Sequence, residues 1–422
     1  MYPRPTEPTG TQTAHAAPEG LFTTTEPAPA WTVSTAKPVS YQVTFAPDLL
    51  NPANPALATA GARGRGQAPA RRLIVVEATV HRLYGDRIRA YAEATMPDHA
   101  IHVLPAHEQL KTMESVFDVV EAMDRFGIAR RREPVIAVGG GVLLDIVGLA
   151  CSLYRRSTPY VRVPTTLIGL VDAGVGAKTG VNFGPYKNRL GTYHPAEATL
   201  LDPAFLGTLD RRHLSNGLAE ILKIGLIKDR TLFDLLDRHG EQVLRRRFDD
   251  AARGRTAGAE ILVRAVHGML QELQPNLWEH QLERVVDYGH SFSPTLEMRA
   301  LPALLHGEAV CLDMALTTVV AWRRGLVGNT ERDRILDLMG RLRLPLWHPL
   351  CEPDTLADAL ADTVRHRDGS QRLPLPVGIG QAVFVNDLTA PELARAAVFL
   401  HARRQRHDRA ERTAEAEEAR DA

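Results

Sequence analysis

Val135-Ile-Ala-Val-Gly-Gly-Gly-Val142, continuing through Leu143-Leu-Asp145, sets a short β-branched run against three consecutive glycines. Four apolar residues bounded by glycine predict a buried strand. The glycines predict a tight turn into a helix, where bare backbone can approach a pyrophosphate at the helix N-terminus. Leu144 occupies the last glycine position of the Gly-x-Gly-x-x-Gly fingerprint, so the run alone also fits a plain tight turn.

Working outward, Arg72-Leu-Ile-Val-Val-Glu77 and Ile101-His-Val-Leu104 repeat the strand pattern and alternate with helical segments. That alternation predicts a Rossmann-like α/β domain with a parallel sheet over roughly 40–209. After Asp210 helical spacing dominates, around 214–239, 256–274, 306–324 and 353–366, so residues 210–402 read as a mainly α-helical domain. The Pro/Thr/Ala-rich arm 1–38 reads as disordered, the Gly/Arg-rich stretch 54–71 as a flexible connection, and 403–422 as a charged tail.

Balanced charge, 50 basic against 50 acidic residues among 422, gives no electrostatic footprint for nucleic acid or an anionic membrane. Hydrophobic residues make up 44%, enough for a large core. Cys151, Cys311 and Cys351 fit neither a disulfide framework nor a zinc ribbon. The N-terminus lacks the apolar core of a signal peptide, and Asp145 interrupts the longest apolar run. The expectation is a cytoplasmic protein of small-molecule chemistry, with no membrane span.

The chemistry-bearing residues cluster in order. Arg156, Lys178, Lys187 and Asn188 sit in a glycine-rich stretch and supply donors for a phosphate ester. Glu220 and Lys223 lie three apart on a predicted helix and share a face. Asp287-Tyr-Gly-His290 and His306-Gly-Glu308 add two imidazoles; with Glu220 they make a one-carboxylate, two-histidine set that leaves zinc positions open for substrate oxygens.

Gly139-Gly-Gly-Val-Leu-Leu-Asp145, Val163-Pro-Thr-Thr166, Asp172, Lys178, Lys187-Asn188, Gly217-Leu-Ala-Glu-Ile-Leu-Lys223, Gly289-His290 and His306-Gly-Glu308 follow one another as in the dehydroquinate synthase superfamily of sugar phosphate cyclases, which this chain resembles over about 70–395. The resemblance implies NAD bound by Glu108, Lys111, Gly140, Gly141, Asp145, Thr165, Thr166, Asp172, Lys178, Lys187 and Thr208. It implies zinc, with cobalt as an alternative, on Glu220, His290 and His306. Asp172, Lys178, Lys187, Asn188, Lys223 and Asp287 then face substrate, and the family's dimers imply a homodimer in which Arg156 reaches a neighbouring subunit's phosphate. Glu77 stands where the family usually has an aspartate near the cofactor.

Four departures select a branch. Where the family surrounds a substrate carboxylate with a lysine, an arginine, an asparagine and a second histidine, this chain aligns Met269, Glu283 or a close neighbour, Asp287 and Pro294. A desolvated carboxylate there would cost on the order of several kcal/mol without a cation. An uncharged hydroxymethyl group fits better, as in sedoheptulose 7-phosphate. Together with Pro275-Asn-Leu-Trp-Glu279 and His366-Arg-Asp-Gly369, the pattern resembles the 2-epi-5-epi-valiolone synthases of C7-cyclitol natural-product pathways. The alternatives are sister cyclases making 2-epi-valiolone or desmethyl-4-deoxygadusol, a 3-dehydroquinate synthase, and a glycerol-type dehydrogenase.

Overall fold

The computed structural model describes residues 19–24, 27–61 and 71–421. The described residues up to Tyr41 form one unit and those from Gln42 onward a second. In the first, β1 (Gly20–Thr24) and β2 (Ala30–Ser34) pair antiparallel, Leu21 opposite Val33 and Thr23 opposite Trp31. The expectation of a structureless arm therefore fails for this stretch: the alternation within Leu21–Thr23 and Trp31–Val33 is a strand pattern that the Pro/Thr composition masked. The connection at 62–70 lies outside the described residues.

The second unit opens with β3 (Gln42–Phe45) and a single helical turn, α1 (Ala56–Thr59). Then β4 (Arg72–Glu77), α2 (Ala78–Thr95), β5 (His99–Leu104), α3 (Met113–Phe126), β6 (Val135–Gly139), α4 (Gly141–Leu153) and β7 (Tyr160–Pro164) alternate as the sequence predicts. A hairpin, β8 (Lys178–Phe183) with β9 (Tyr186–Tyr193), precedes β10 (Ala198–Leu201). The six-stranded sheet runs β3-β10-β7-β6-β4-β5, every pair parallel. Alternate residues of β4 bury opposite ways, Leu73 and Val75 into one core and Ile74 and Val76 into the other. Helices cover both faces, as a parallel sheet requires.

Past Leu201 the chain is mostly helical: α5 (Arg211–Ile227), α6 (Arg230–Arg246), α7 (Ala257–Leu273), α8 (Ser293–Ala300), α9 (His306–Arg323), α10 (Asn329–Arg341) and α11 (Pro353–His366). A small hairpin, β11 (Leu373–Pro376) with β12 (Ala382–Val385), and the long α12 (Ala390–Asp421) complete it. Helix α5 is buried without a break from Leu214 to Ile227, and α9 from Gly307 to Ala321. These two helices form the centre of the helical core; α5 carries Glu220 buried inside it, and His306, half-buried, opens α9. No helix among the described residues is long and apolar enough to cross a membrane.

Candidate active site

The glycine turn sits where the sequence places it. Gly140 is the N-cap of α4 with no side-chain cap, so the first-turn amides are free to meet an anion. Thr165 donates its N–H to the Gly139 carbonyl, and a Cβ on Gly140 would touch Thr166 at 3.0 Å, so both threonines border the turn. The turn follows β6, and the chain reverses its order across the sheet between β4 and β6, the crevice where open α/β sheets bind ligands.

Lys111 is buried beside this turn. Its Nζ donates to Asp145 Oδ2 and Asn188 Oδ1, each at 2.6 Å. One ammonium thus joins the glycine-turn helix to the β8–β9 hairpin. Asn182, which sequence reasoning passed over, closes the circuit: its Nδ2 donates to Glu108 Oε1 (2.8 Å) and its Oδ1 accepts the Asn188 N–H (2.8 Å), holding Asn188 at φ 50°. Glu77 points elsewhere, capping α2 by accepting the N–H groups of Thr79 and Val80. Thr208 pairs with the Tyr84 hydroxyl at 3.1 Å.

The three expected metal ligands converge. Glu220, His290 and His306 each offer an atom within 4.8 Å of the others. Glu220 Oε1 lies 3.3 Å from His306 Nε2 and 3.6 Å from His290 Nε2, close to the ~3.3 Å edge of a tetrahedron with ~2.05 Å zinc bonds. Both imidazoles are oriented from behind: His290 Nδ1 lies 3.2 Å from the Tyr288 carbonyl and His306 Nδ1 2.9 Å from Glu297 Oε2. With Nδ1–H donating, each Nε2 keeps its lone pair for an ion. Glu220 Oε1 is buried and receives no hydrogen bond. Two imidazole lone pairs and an unsatisfied carboxylate oxygen fit a divalent metal.

Charge around the set is arranged accordingly. Lys223 is buried on α5 with Nζ 2.5 Å from Glu220 Oε2; burial pulls its pKa down, but Glu220 and Asp172 outweigh that and raise it. Burial and the Lys223 ammonium lower the His290 imidazole to about 3. Burial and Lys187 also pull His306 down, yet Glu297 and Glu220 carry it up to about 9. Asp172 lies in the irregular turn Gly169–Ala173, its pKa raised by burial and by Glu220.

Close packing makes the set possible. Gly289 takes φ 77°, left-handed backbone beside Val310 and Met314 of α9. Gly307 lies flat on the Asn216 backbone of α5 and donates its N–H to Asn216 Oδ1 at 2.5 Å. Arg212 of α5 grips Glu308 of α9 through two bonds of 2.6 and 2.7 Å, while Glu308 Oε2 accepts the Leu305 N–H and caps α9. Asp313 Oδ2 accepts the N–H groups of Ser291, Phe292 and Ser293, fixing the backbone after His290. Nothing in the local sequence pairs Glu297, Arg212 or Asp313 with these partners, which only the fold reveals.

Other expected residues are distributed less simply. Lys187 lies against the expected ligand His306, its Nζ 2.5 Å from Glu297 Oε1 and 3.1 Å from His306 Nδ1. Lys178 is half exposed and ion-paired with Glu279. Arg156 is exposed after α4, on left-handed backbone at φ 59°. Asp287 has Arg284 Nη1 3.1 Å from Oδ1 and Arg367 Nη2 3.9 Å from Oδ2; burial opposes its ionisation, but these guanidiniums lower its pKa. The expectation that no arginine faces this pocket is therefore wrong: Glu283 is exposed, and its neighbour Arg284 turns inward. Met269 is buried in the helical core, and Pro294 opens α8.

The family model for the 3-dehydroquinate synthase N-terminal region matches residues 101–216, and that for the C-terminal region matches 217–365. The chain belongs to the dehydroquinate synthase family of sugar phosphate cyclases. Within it, the chain is 61% identical over 379 residues to a 2-epi-5-epi-valiolone synthase of Streptomyces hygroscopicus subsp. jinggangensis, covering 89% of this chain and 91% of that protein. It is 42% identical over 327 residues to a demethyl-4-deoxygadusol synthase of Trichormus variabilis, covering 77% and 80%. A solved 2-epi-5-epi-valiolone synthase structure from the same Streptomyces, with NAD+ and Zn2+ bound, superposes with a TM-score of 0.84 at 59% identity, covering 88% of this chain and all of that one.

Proposed function

We propose that this enzyme converts sedoheptulose 7-phosphate into 2-epi-5-epi-valiolone and inorganic phosphate, as a cytoplasmic homodimer serving C7-cyclitol biosynthesis, with NAD at the glycine turn and zinc on Glu220, His290 and His306. The observation that carries the substrate is Asp287, held ionised between Arg284 and Arg367. A substrate carboxylate here would meet another carboxylate whose guanidinium partners are already engaged. A hydroxymethyl group meets an acceptor instead. The extent of identity to the Streptomyces synthase supports the same reading.

When bound, zinc supplies an electrophile for substrate oxygens and NAD a reversible hydride acceptor, so the overall cyclisation involves no net oxidation. The chain's own groups do the rest. Lys223, buried, and Asp172, half-buried, lie beside Glu220 and are placed to hold sugar hydroxyls. Lys178, Lys187 and Asn188, with Arg156 from a neighbouring subunit, orient the phosphate and stabilise its departure as charge develops on its oxygens. Ring closure is an intramolecular aldol addition, in which the fixed pocket contributes orientation.

The test incubates protein, NAD and zinc with sedoheptulose 7-phosphate, and separately with the C7 keto-acid phosphate that dehydroquinate synthases use. Phosphate release from the first alone, without accumulating NADH, and NMR identification of 2-epi-5-epi-valiolone are expected. Turnover of the keto acid, or net NADH, rejects the proposal.

A further inference from the structure

Glu297 is 2% exposed, on the short helix α8, and its two oxygens have different partners. Oε1 accepts from Lys187 Nζ at 2.5 Å and Oε2 from His306 Nδ1 at 2.9 Å. The two donor atoms, Lys187 Nζ and His306 Nδ1, stand only 3.1 Å apart. With the His306 tautomer that frees Nε2 for a metal, both are donors, and each has a different Glu297 oxygen as its acceptor. Two donors at that distance repel unless a common acceptor lies between them. The Lys187 side chain is itself only 10% exposed, so water does not take over that role.

We propose that Glu297 is a positioning residue that locks a zinc ligand and a phosphate-binding lysine into one unit: it fixes His306 with Nε2 toward Glu220 and holds the Lys187 ammonium against the same imidazole. The inference rests on the zinc and phosphate roles proposed above. A carboxylate is required because it alone offers two acceptor atoms and no donor. An isosteric amide offers one of each. In Glu297→Gln the amide oxygen goes to the buried ammonium, the more strongly bonding donor, which leaves the amide NH2 facing His306 Nδ1–H.

The experiment measures zinc affinity of the metal-free full-length protein by competition with a chromophoric chelator, without substrate. Glu297→Gln should weaken zinc binding about 10- to 100-fold, the usual effect of losing a histidine's outer partner. Adding Lys187→Met to that variant frees the amide oxygen to turn to His306, so the double variant should bind zinc within about threefold of Lys187→Met alone. A loss of packing would make the double variant worse than the single, whereas rescue requires the shared-acceptor arrangement. Wild-type zinc affinity in Glu297→Gln, or no rescue in the double variant, overturns the proposal. Wild-type protein that takes up no zinc overturns the metal reading itself. As a second readout, Glu297→Gln loaded at saturating zinc should raise KM for sedoheptulose 7-phosphate at least as much as it lowers kcat, because Lys187 loses its anchored position. An unchanged KM also counts against it.

Discussion

Gly307→Ala is the sharpest test of how the metal set is assembled. Gly307 follows the proposed ligand His306 on the first turn of α9, and Asn216, against which it lies, is one helical turn before Glu220 on α5. A Cβ at 307 would stand 2.8 Å from the Asn216 carbonyl carbon and from Oδ1, and closer still to the carbonyl oxygen. Carbon–carbon contacts settle near ~3.5 Å, so α9 must retreat from α5 by at least about 0.7 Å, and the closer carbonyl oxygen demands more. Metal–ligand distances tolerate about 0.2 Å. The retreat carries His306 away from Glu220 by more than three times that margin. The stability cost should be the ordinary ~1–3 kcal/mol of overpacking, with the protein still folded. Zinc affinity should fall at least about 100-fold, more than for loss of an outer-sphere partner. Equilibrium dialysis against buffered zinc, with a thermal melt of the metal-free protein as control, separates the two effects. A folded Gly307→Ala protein that binds zinc as wild type does would refute the close-approach argument.

Other consequences are more direct. Glu220→Gln removes the anionic ligand and leaves Lys223 buried beside a neutral amide; zinc should be lost on gel filtration and cyclisation should fall by about a thousandfold or more, measured as phosphate release. Lys111→Met separates Asp145 from Asn188 and strands both polar groups, so NAD affinity by fluorescence titration should weaken about tenfold and KM for the phosphorylated substrate should rise with it. Away from the site, Arg324 of the α9 C-cap grips Glu392 of α12 through bonds of 2.8 and 3.0 Å, and this pairing lowers the Glu392 carboxyl to about 2. A lowered folded-state pKa stabilises above the ordinary carboxylate range, and the stabilisation is lost as pH falls toward 2. Arg324→Met should therefore lower the melting temperature at pH 6 and flatten its decline between about pH 4.5 and 2.

The parallel sheet and the helical second half were legible because their signals are local. Val135–Val138 and Leu73–Val76 are apolar runs that only a covered sheet explains, and the helical spacing around 214–239 and 306–324 survives in α5, α6 and α9. The β8–β9 hairpin was read only as glycine-rich loops, since its exposed face lacks a clean alternation. Glu220, His290 and His306 were legible through their ordered motifs. Glu297 was not, because in Ser293–Ala300 it is one carboxylate on a short helix, with partners 110 residues back in sequence and nine ahead. Asp313, Asn182 and Arg212 escaped for the same reason: each acts across a contact that no local period encodes.

The pocket argument is the instructive case, since its conclusion stands on different ground from its first premise. The alignment places Glu283 or a close neighbour at the position of a cation and infers an uncharged hydroxymethyl group, in place of a substrate carboxylate, from the missing charge. In the structure Arg284 and Arg367 both face Asp287, and Arg284 also meets Glu279 at 2.6 Å, which in turn holds Lys178. Cations are present but committed. Lys178, Glu279, Arg284, Asp287 and Arg367 alternate in sign along one chain, so each positive group already faces a carboxylate at low solvent exposure, except at the exposed Lys178 end. An incoming carboxylate would have to displace Glu279 or Asp287 from a buried guanidinium, leaving a desolvated anion behind, at a cost on the order of several kcal/mol. A hydroxyl can share Asp287 without separating any pair. Selection against a substrate carboxylate thus depends on whether its counter-charge is free, which residue identities alone do not reveal. Asp287→Asn tests this by releasing Arg284 and Arg367 from one partner: turnover of sedoheptulose 7-phosphate should fall, while the keto-acid phosphate should become a tighter competitive inhibitor. If inhibition by the keto acid is unchanged, the committed-charge explanation of specificity is wrong.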